Sequence, residues 1–304
     1  MAHTHHSLIA SLSDAQRLDL QARSDGAGLI HLAGHVGAVA AAAGLIFMEV
    51  PYWPALLPVQ GILVIFLFTT LHETIHRTAF ATARLNDAVA AVCALLVFLP
   101  PDWFRYFHFA HHRFTNHPEN DPELAIAKPK TVAQYLFYLS GLAVWWFQLR
   151  ALVVNAAGAN RDAFVPAKGK RRVAIEARLY LAAYGALAAA SLALASDALI
   201  WVWLVPVALG QPFLRAFLLA EHAGCPEVEN MLENSRTTLT NGAVRFLTWN
   251  MPYHVEHHVM PSAPFHKLAR LHGLTAPHAA VTERGYGKFH RKMAASLLAN
   301  TTLR

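Results

Sequence analysis

Histidines recur in three short clusters whose spacing suits metal coordination. The clusters occupy residues 72–76, 108–112 and 254–258. On a helix, positions i, i+3 and i+4 lie on one face, so each cluster can direct two or three imidazole rings toward a common point. Neutral imidazole nitrogens are common metal ligands. The clusters together predict a metal site, and its candidate ligands are His72, His76, His108, His111, His112, His254, His257 and His258.

The composition indicates the setting of these histidines. Of the 304 residues, 55% are hydrophobic and only 14% are charged, and the mean hydropathy is +0.31. This apolarity is unusual for a soluble enzyme and predicts a membrane protein. The net charge of +6 does not indicate nucleic acid as a partner, because most basic residues fall between apolar segments, where orientation in a membrane accounts for them. Two cysteines, Cys93 and Cys225, are too few for a disulfide framework.

Four apolar segments are long enough to cross a bilayer as helices. They lie near residues 28–50, 55–76, 179–195 and 198–220. The second continues helically into the first histidine cluster, so it is expected to emerge from the lipid carrying His72 and His76. We predict an all-α integral membrane protein with four transmembrane helices and a histidine-rich helical cap. The single predicted domain covers 1–304, with a polar N-terminal segment at 1–27 and a cap built from 77–178 and 221–304.

Two further apolar runs are not predicted to be true spans: the first is expected to be re-entrant, interfacial or packed in the protein, and the second interfacial or re-entrant. The run at 88–99 is too short to span and stops at Pro100-Pro101, and the run at 132–154 is interrupted by Gln148 and Arg150. Loop charge then predicts the orientation, since cytoplasmic loops carry an excess of lysine and arginine. The short connections at 49–54 and 196–197 have neither residue. Both termini and every histidine cluster are therefore predicted to be cytoplasmic.

A ninth histidine, His222, directly follows the fourth span and is expected near the point where the first cluster emerges. Nine nitrogen ligands are too many for one metal ion. They suit two ions, each with four or five ligands and room for water or oxygen. Surface or local structural roles are expected for His266, His272, His278 and His290.

Two other functions fit part of the pattern. Residues 72–76 satisfy the H-E-x-x-H motif of zinc metalloproteases, which would indicate an intramembrane protease. A catalytic zinc needs only about three protein ligands, however, so the other two clusters would have no role. A metal transporter would need polar groups along the spans, and apart from His31, His35 and Arg215 these hold almost no ionisable residues. Both functions are disfavoured.

The patterns His72-x-x-x-His76, His108-x-x-His111-His112 and His254-x-x-His257-His258 resemble the three histidine boxes of the membrane fatty acid desaturase and hydroxylase superfamily. The resemblance covers roughly residues 72–272. It implies a non-haem di-iron centre at the cytoplasmic membrane face, where O2 is activated to attack an unactivated C–H bond of a lipid chain. It also implies that the eight box histidines and His222 are the iron ligands.

The sequence departs from the pattern of some members of this superfamily at one position. In some relatives an asparagine four residues before the extra histidine completes the iron shell through water, but this chain has Leu218 there. Asn241 or Asn250 could substitute for it. Fatty acid desaturation is the reaction expected first. Hydroxylation, ketolation and alkene-forming decarboxylation are alternatives, because all of these reactions can begin with hydrogen abstraction. No fused redox module is visible, which implies a separate electron donor of the ferredoxin, rubredoxin or cytochrome b5 type.

Several other side chains could support such a site. Residues near the clusters could accept a free imidazole N–H and so fix ring orientation, and the candidates are Glu73, Asp121, Glu221, Asn250 and Glu256. Trp103, Phe104 and Phe107 could wall an acyl tunnel or, equally, form an interfacial belt. The basic residues at 168–172 could hold a phosphate-bearing headgroup, a coenzyme A moiety or an acidic electron-transfer protein, although orientation charge explains them more simply.

Overall fold

The structure, a computed structural model, describes residues 4–299. The two chain ends, for which the sequence predicts a cytoplasmic location, lie outside the described residues. Within them the chain is almost entirely helical, which confirms the predicted all-α class. The polar N-terminal segment forms α1 (His5–Ser11) and α2 (Asp14–Leu20), and each helix begins at a capping box, centred on Thr4 and Ser13.

The first long apolar helix, α3 (Asp25–Phe47), begins at the side-chain cap of Ser24. A 3-10 turn at Trp53–Leu56 leads into α4 (Leu57–Ile65) and α5 (Leu67–Ile75), which are separated only by Phe66. Next come α6 (Ala83–Val97) and α7 (Pro101–Phe114). Pro101 stands at the start of α7, where a missing N–H has no cost, and the two helices meet at 94°.

The middle of the chain contains a second bent pair. A 3-10 turn at Pro122–Ala125 precedes α8 (Val132–Ser140) and α9 (Leu142–Ala156), which bend by 48° at Gly141. Gly141 has a φ of +74°, and a Cβ there would overlap the Gln211 side chain. The long helix α10 (Ala167–Ala193) follows, and a π-helical turn at Ile200–Leu204 continues into α11 (Val205–His222).

The C-terminal part is built from shorter elements that cover the ends of the long helices near His76 and His222. They are α12 (Met231–Asn234), β1 (Thr237–Leu239), α13 (Gly242–Leu247), α14 (His254–Val259), α15 (Leu268–Thr275), β2 (Thr282–Arg284) and α16 (Tyr286–Leu298). A 3-10 turn at Phe265–Lys267 precedes α15. The two strands are parallel, with Thr237 opposite Thr282. The sequence did not predict this strand pair.

Four helical segments are long and apolar enough to cross a membrane, as predicted. They are Asp14–Phe47, Trp53–Ile75, Ala167–Ala193 and Ile200–His222. The third begins well before the apolar run predicted at residue 179, because the basic residues 168–172 form its first turns. The bent pairs α6–α7 and α8–α9 are each a broken span or a re-entrant loop, in keeping with the short or interrupted runs in the sequence.

The pairing of α4 with α11 holds the second and fourth apolar segments together. The backbones touch because glycines meet: a Cβ on Gly61 would overlap the Pro206 carbonyl, and one on Gly210 would overlap the Gly61 carbonyl. Since α4 continues into α5 and α11 ends at His222, this contact brings His72 and His222 to the same end of the bundle.

Candidate metal centre

Four helices carry the nine predicted histidines to one buried region. His72 lies on α5 and His76 directly follows it, three more histidines lie on α7, His222 ends α11, and the last three lie on α14. They form two groups, and within each group one nitrogen from every ring lies within 4.8 Å of the others. The first group is His72, His76, His108, His112 and His257, and the second is His111, His222, His254 and His258.

The group of five converges on His112 and His257. The Nε2 atom of His112 lies 2.9 Å from Nε2 of His108 and 3.0 Å from Nε2 of His257. The ring centroids of His72 and His76 lie 4.5 and 4.7 Å from that of His257. Rings from three separate helices therefore turn their nitrogens toward one point.

The group of four converges on His222. Its Nε2 atom lies 2.8 Å from Nε2 of His254 and 3.2 Å from Nε2 of His111. The fourth ring, His258, has its centroid 4.8 Å from that of His222. Although His111 and His112 are adjacent in sequence, they belong to different groups, because neighbouring residues of a helix point about 100° apart.

The donor set fits two transition-metal ions. The Nε2 atoms of His76 and His258 are buried and have no hydrogen-bond partner, although each belongs to a convergent group. Burial lowers the pKa of His254, His257 and His258 well below the ordinary histidine value, so these rings are neutral and offer lone pairs. Buried polar atoms without partners are costly, and a metal ion would satisfy them. All-imidazole sets suit iron, zinc or copper.

Polar atoms lie at the far side of three of the four rings in the second group, and hydrogen bonds hold two of them, His111 and His222. Asp121 Oδ1 lies 2.9 Å from His111 Nδ1, and Glu221 Oε1 lies 3.3 Å from His254 Nδ1. Both carboxylates were predicted candidates for this role. The carbonyl oxygen of Asn234 lies 3.1 Å from His222 Nδ1. This last contact was not predicted, because any residue can supply a carbonyl and no side-chain signal marks it.

Thr115 makes a further contact that sequence reasoning missed. Its hydroxyl lies 3.2 Å from His258 Nδ1 and also donates to the carbonyl oxygen of His111, 2.8 Å away. Thr115 stands just past the end of α7, four residues after His111. A polar residue one turn beyond a histidine box is a signal that could have suggested it.

Two other predicted supporting residues, Glu73 and Asn250, are buried or partly buried and are turned away from the nine histidines. Glu73 accepts hydrogen bonds from the Thr78 hydroxyl at 2.8 Å and from the Phe265 amide at 3.3 Å. Asn250 donates to the Phe265 carbonyl at 3.1 Å. Neither Glu73 nor Asn250 has a hydrogen bond to the nine histidines in the described part of the chain. Asn241 caps α13 through the Val244 amide and is also not placed at the site.

Glu256 points away from the rings because it lies on the opposite side of α14 from His254, His257 and His258. The carboxylate is fully buried and lies 2.7 Å from His272 Nδ1. It also accepts hydrogen bonds from the hydroxyls of Thr237 and Thr275. Glu256 therefore ties α14 to β1 and α15, and the predicted direct contact with a ligand ring is absent from the described hydrogen bonds. His272 has the local structural role expected of it.

Comparison with known proteins agrees with this site. A family model described as fatty acid desaturase matches residues 49–290, a range that includes all nine histidines. The chain belongs to the fatty acid desaturase family. A similar protein is the Sphingolipid delta(4)-desaturase/C4-monooxygenase DES2 of Rattus norvegicus, which is 28% identical over 205 residues. The aligned region is 65% of this chain and 58% of the rat protein, so the chain spans little more than half of that relative's length.

Family membership confirms the resemblance carried by the histidine boxes, and together with the four apolar helices it makes this desaturase family member a multi-pass membrane protein. Trp103, Phe104 and Phe107 line a cavity of about 120 Å³, called here the inner cavity, together with Gln148, Arg215 and Leu218. Leu218 also lines a 40 Å³ pocket that contains His111 and His222. An apolar space thus adjoins the group of four histidines.

The inner cavity shares part of its wall with a second, larger cavity. Phe107 and Phe147 also line a larger cleft of about 840 Å³, called here the outer cleft, with Tyr106, Phe109 and Phe164. Trp103 is fixed by the hydrogen bond from its indole N–H to Asp162, 2.8 Å away. The aromatic residues before the second cluster therefore form walls within the protein, whereas the sequence left open whether they were an interfacial belt.

Proposed function

We propose that this chain is a membrane oxidoreductase that holds two iron ions in its nine histidines and uses O2 to remove hydrogen from an unactivated C–H bond of a fatty acyl or lipid chain. The observation that carries the proposal is the convergence of all nine histidines into groups of five and four. A metalloprotease would use only three ligands, and a transporter would not need two adjacent all-histidine groups. Family membership supports the same class of reaction.

The iron pair would supply the oxidising power that breaking an alkyl C–H bond needs and that no side-chain acid or base provides. The protein's own residues then have defined tasks. Asp121 and the Asn234 carbonyl orient His111 and His222 by accepting their Nδ1–H groups, which leaves the Nε2 lone pairs directed inward. The aromatic walls of the inner cavity exclude water from the chain to be oxidised.

Desaturation is the first candidate reaction, and hydroxylation is the second. The name of the rat relative includes both a desaturase and a monooxygenase activity, which supports keeping both reactions as candidates. The same histidine site would serve either reaction. How the protein holds the substrate's hydrocarbon chain after the first hydrogen is removed decides between the two reactions.

The reaction also requires electrons, and we propose a separate donor protein of the ferredoxin, rubredoxin or cytochrome b5 type. It would dock on the side of the bundle where the histidines lie. We propose that this side is cytoplasmic, because the connection after α3 and the connection after α10 contain no lysine or arginine, whereas α10 begins with a basic run at 168–172.

The proposal is tested by expressing the chain in a host of known lipid profile and analysing total lipids and volatile products by mass spectrometry. A new double bond or an added hydroxyl is the expected result. His257→Ala and His254→Ala, one from each group, should abolish the product, whereas the control His117→Ala changes an exposed histidine outside both groups and should retain it. An unchanged lipid profile despite a loaded metal site and a supplied electron donor would overturn the proposed function.

A further inference from the structure

Arg215 is a buried charge that the proposed reaction does not use. It lies on α11 within the fourth apolar segment and is only 9% exposed. His222 lies seven positions further along α11, which is two helical turns, or about 10 Å along the helix axis, and nearly the same face. Leu218 lies between them on this face. A charged residue at such a depth is expensive and is usually functional.

The arginine has no carboxylate partner in close contact. The ion pairs of arginine within residues 4–299 involve Arg77, Arg105, Arg172 and Arg270. Within residues 4–299, the Nε atom of Arg215 is buried without a hydrogen-bond partner. Tyr138, Glu123 and Glu221 lie near enough to interact with it electrostatically, but neither carboxylate forms an ion pair with it. A buried guanidinium left in this way requires an anionic or strongly polar partner.

That guanidinium lines the inner cavity. Most of the remaining wall is aromatic or aliphatic, and Gln148 adds a buried Oε1 atom that also has no partner. Glu123 lines the same cavity, but its Oε2 atom lies 3.7 Å from His111 Nδ1, so this carboxylate is directed to the histidines. The cavity thus combines a largely apolar wall with one cation that forms no ion pair within residues 4–299, which suits a hydrocarbon chain that ends in an anion.

We propose that Arg215 binds the carboxylate of an unesterified fatty acid, with Tyr138 beside it and the hydrocarbon chain running along the aromatic wall toward the outer cleft. The proposal rests on the proposed function for its hydrocarbon substrate and adds the head group. The acid group would then be bound inside the protein, beside a residue two helical turns before His222 on α11, rather than at the membrane surface. An acyl chain whose carboxyl group is esterified has no negative charge at that group, which is the charge that the arginine would bind.

Binding can be measured without turnover. Radiolabelled palmitate is titrated onto purified, detergent-solubilised full-length protein immobilised on beads, with unlabelled palmitate, methyl palmitate and hexadecanol as competitors. The wild-type protein should prefer palmitate to its methyl ester by about tenfold or more, the amount that one charge-assisted hydrogen bond contributes. Equal competition by acid and ester would overturn the proposal, and this comparison needs no variant.

Variants locate the preference. Arg215→Gln should remove the preference for the acid while leaving methyl palmitate binding unchanged, and Arg215→Lys should keep part of it because the charge remains. Arg150→Gln is the matched control, since Arg150 lies exposed on the neighbouring α9 and does not line the inner cavity. Size-exclusion profiles establish that each variant is folded. A full acid preference in folded Arg215→Gln would also overturn the proposal.

The two proposals fail separately. If palmitate binds in an Arg215-dependent manner but no lipid is oxidised, the head-group site stands and the proposed oxidation fails. If esterified lipids are oxidised and Arg215→Gln has normal activity and normal binding, the oxidation stands and the head-group site fails.

Discussion

Asp121 Oδ1 lies 2.9 Å from His111 Nδ1, and each side chain is about 1% exposed. The second oxygen of Asp121 accepts the backbone N–H of Asn116 at 2.8 Å, so the carboxylate is itself held in place. An imidazole that donates its Nδ1–H to a carboxylate has its Nε2 lone pair free, and here that nitrogen faces His222. The pair fixes both the orientation and the tautomer of one ring in the group of four.

Asp121→Asn should weaken metal binding by the group of four about 10- to 100-fold, because the amide cannot supply the negative charge that makes His111 a stronger ligand. Chelator competition followed by metal analysis measures the change. Asp87→Asn is the control, since Asp87 is half exposed and pairs with Arg77 at the surface. Unchanged chelator resistance in Asp121→Asn would show that the contact does not support a metal ligand.

The sequence predicted the nine histidines but not how they divide. Spacing within a helix shows which rings share a face, yet His111 and His112 separate into different groups, because His112 meets the rings of His72 and His76 near α5 whereas His111 meets His222 at the end of α11. That arrangement depends on tertiary packing. Tertiary packing also decides the role of Glu256. Its position next to His257 predicted a contact with the metal-site rings, but the fold turns its carboxylate toward His272.

The four apolar helices followed from hydropathy because length and composition alone define a possible span. The elements after His222 could not be predicted in the same way. The strands β1 and β2 are three residues each and pair across about 45 positions, and no local sequence pattern specifies such a contact. The polar N-terminal segment was likewise not predicted to reach the site, yet Leu8 packs against Val255 of the third box.

The close approach of α4 and α11 predicts a strong effect of one methyl group. Gly61→Ala should destabilise the protein by about 1 to 3 kcal/mol, because its Cβ would overlap backbone and the two helices must separate. Thermal unfolding in detergent measures this. Gly37→Ala is the matched control, since a Cβ at Gly37 on α3 meets no atom within 4 Å. Equal melting temperatures for the two variants would contradict the packing described here.

Filling the inner cavity should prevent the substrate's hydrocarbon chain from binding and should not change the metal content. Leu218→Phe adds a ring between Arg215 and His222, so lipid turnover should fall at least about tenfold while the metal content stays the same. Lipid analysis and metal analysis are made on the same preparation. Leu209→Phe, at an exposed position of α11, should leave both unchanged. Normal turnover in Leu218→Phe would place the substrate elsewhere.

The contact between His272 and Glu256 predicts a pH dependence of stability. The hydrogen bond that the His272 ring donates to the Glu256 carboxylate raises the pKa of His272 above its ordinary value of 6.5. Because the folded pKa is the higher one, the stabilisation is fully present below about pH 6.5 and is lost as the pH rises through the raised value. Solvent screening of the partly exposed ring keeps it below about 1 kcal/mol.

Melting temperatures across this pH range measure the effect. The advantage of the wild type over His272→Gln should shrink as the pH increases. His290→Gln provides the contrast, since burial lowers the pKa of His290, so wild type should lose its advantage over this variant as the pH falls. A difference in melting temperature between wild type and His272→Gln that does not change with pH would contradict the raised pKa of His272.

The metal content of the purified full-length protein tests the central claim most directly. Elemental analysis should find two iron ions per chain, with His254→Ala and His257→Ala each reducing the content through a different histidine group. A single zinc ion per chain that depends on His72 and His76 but not on His222 or His254 would contradict the account.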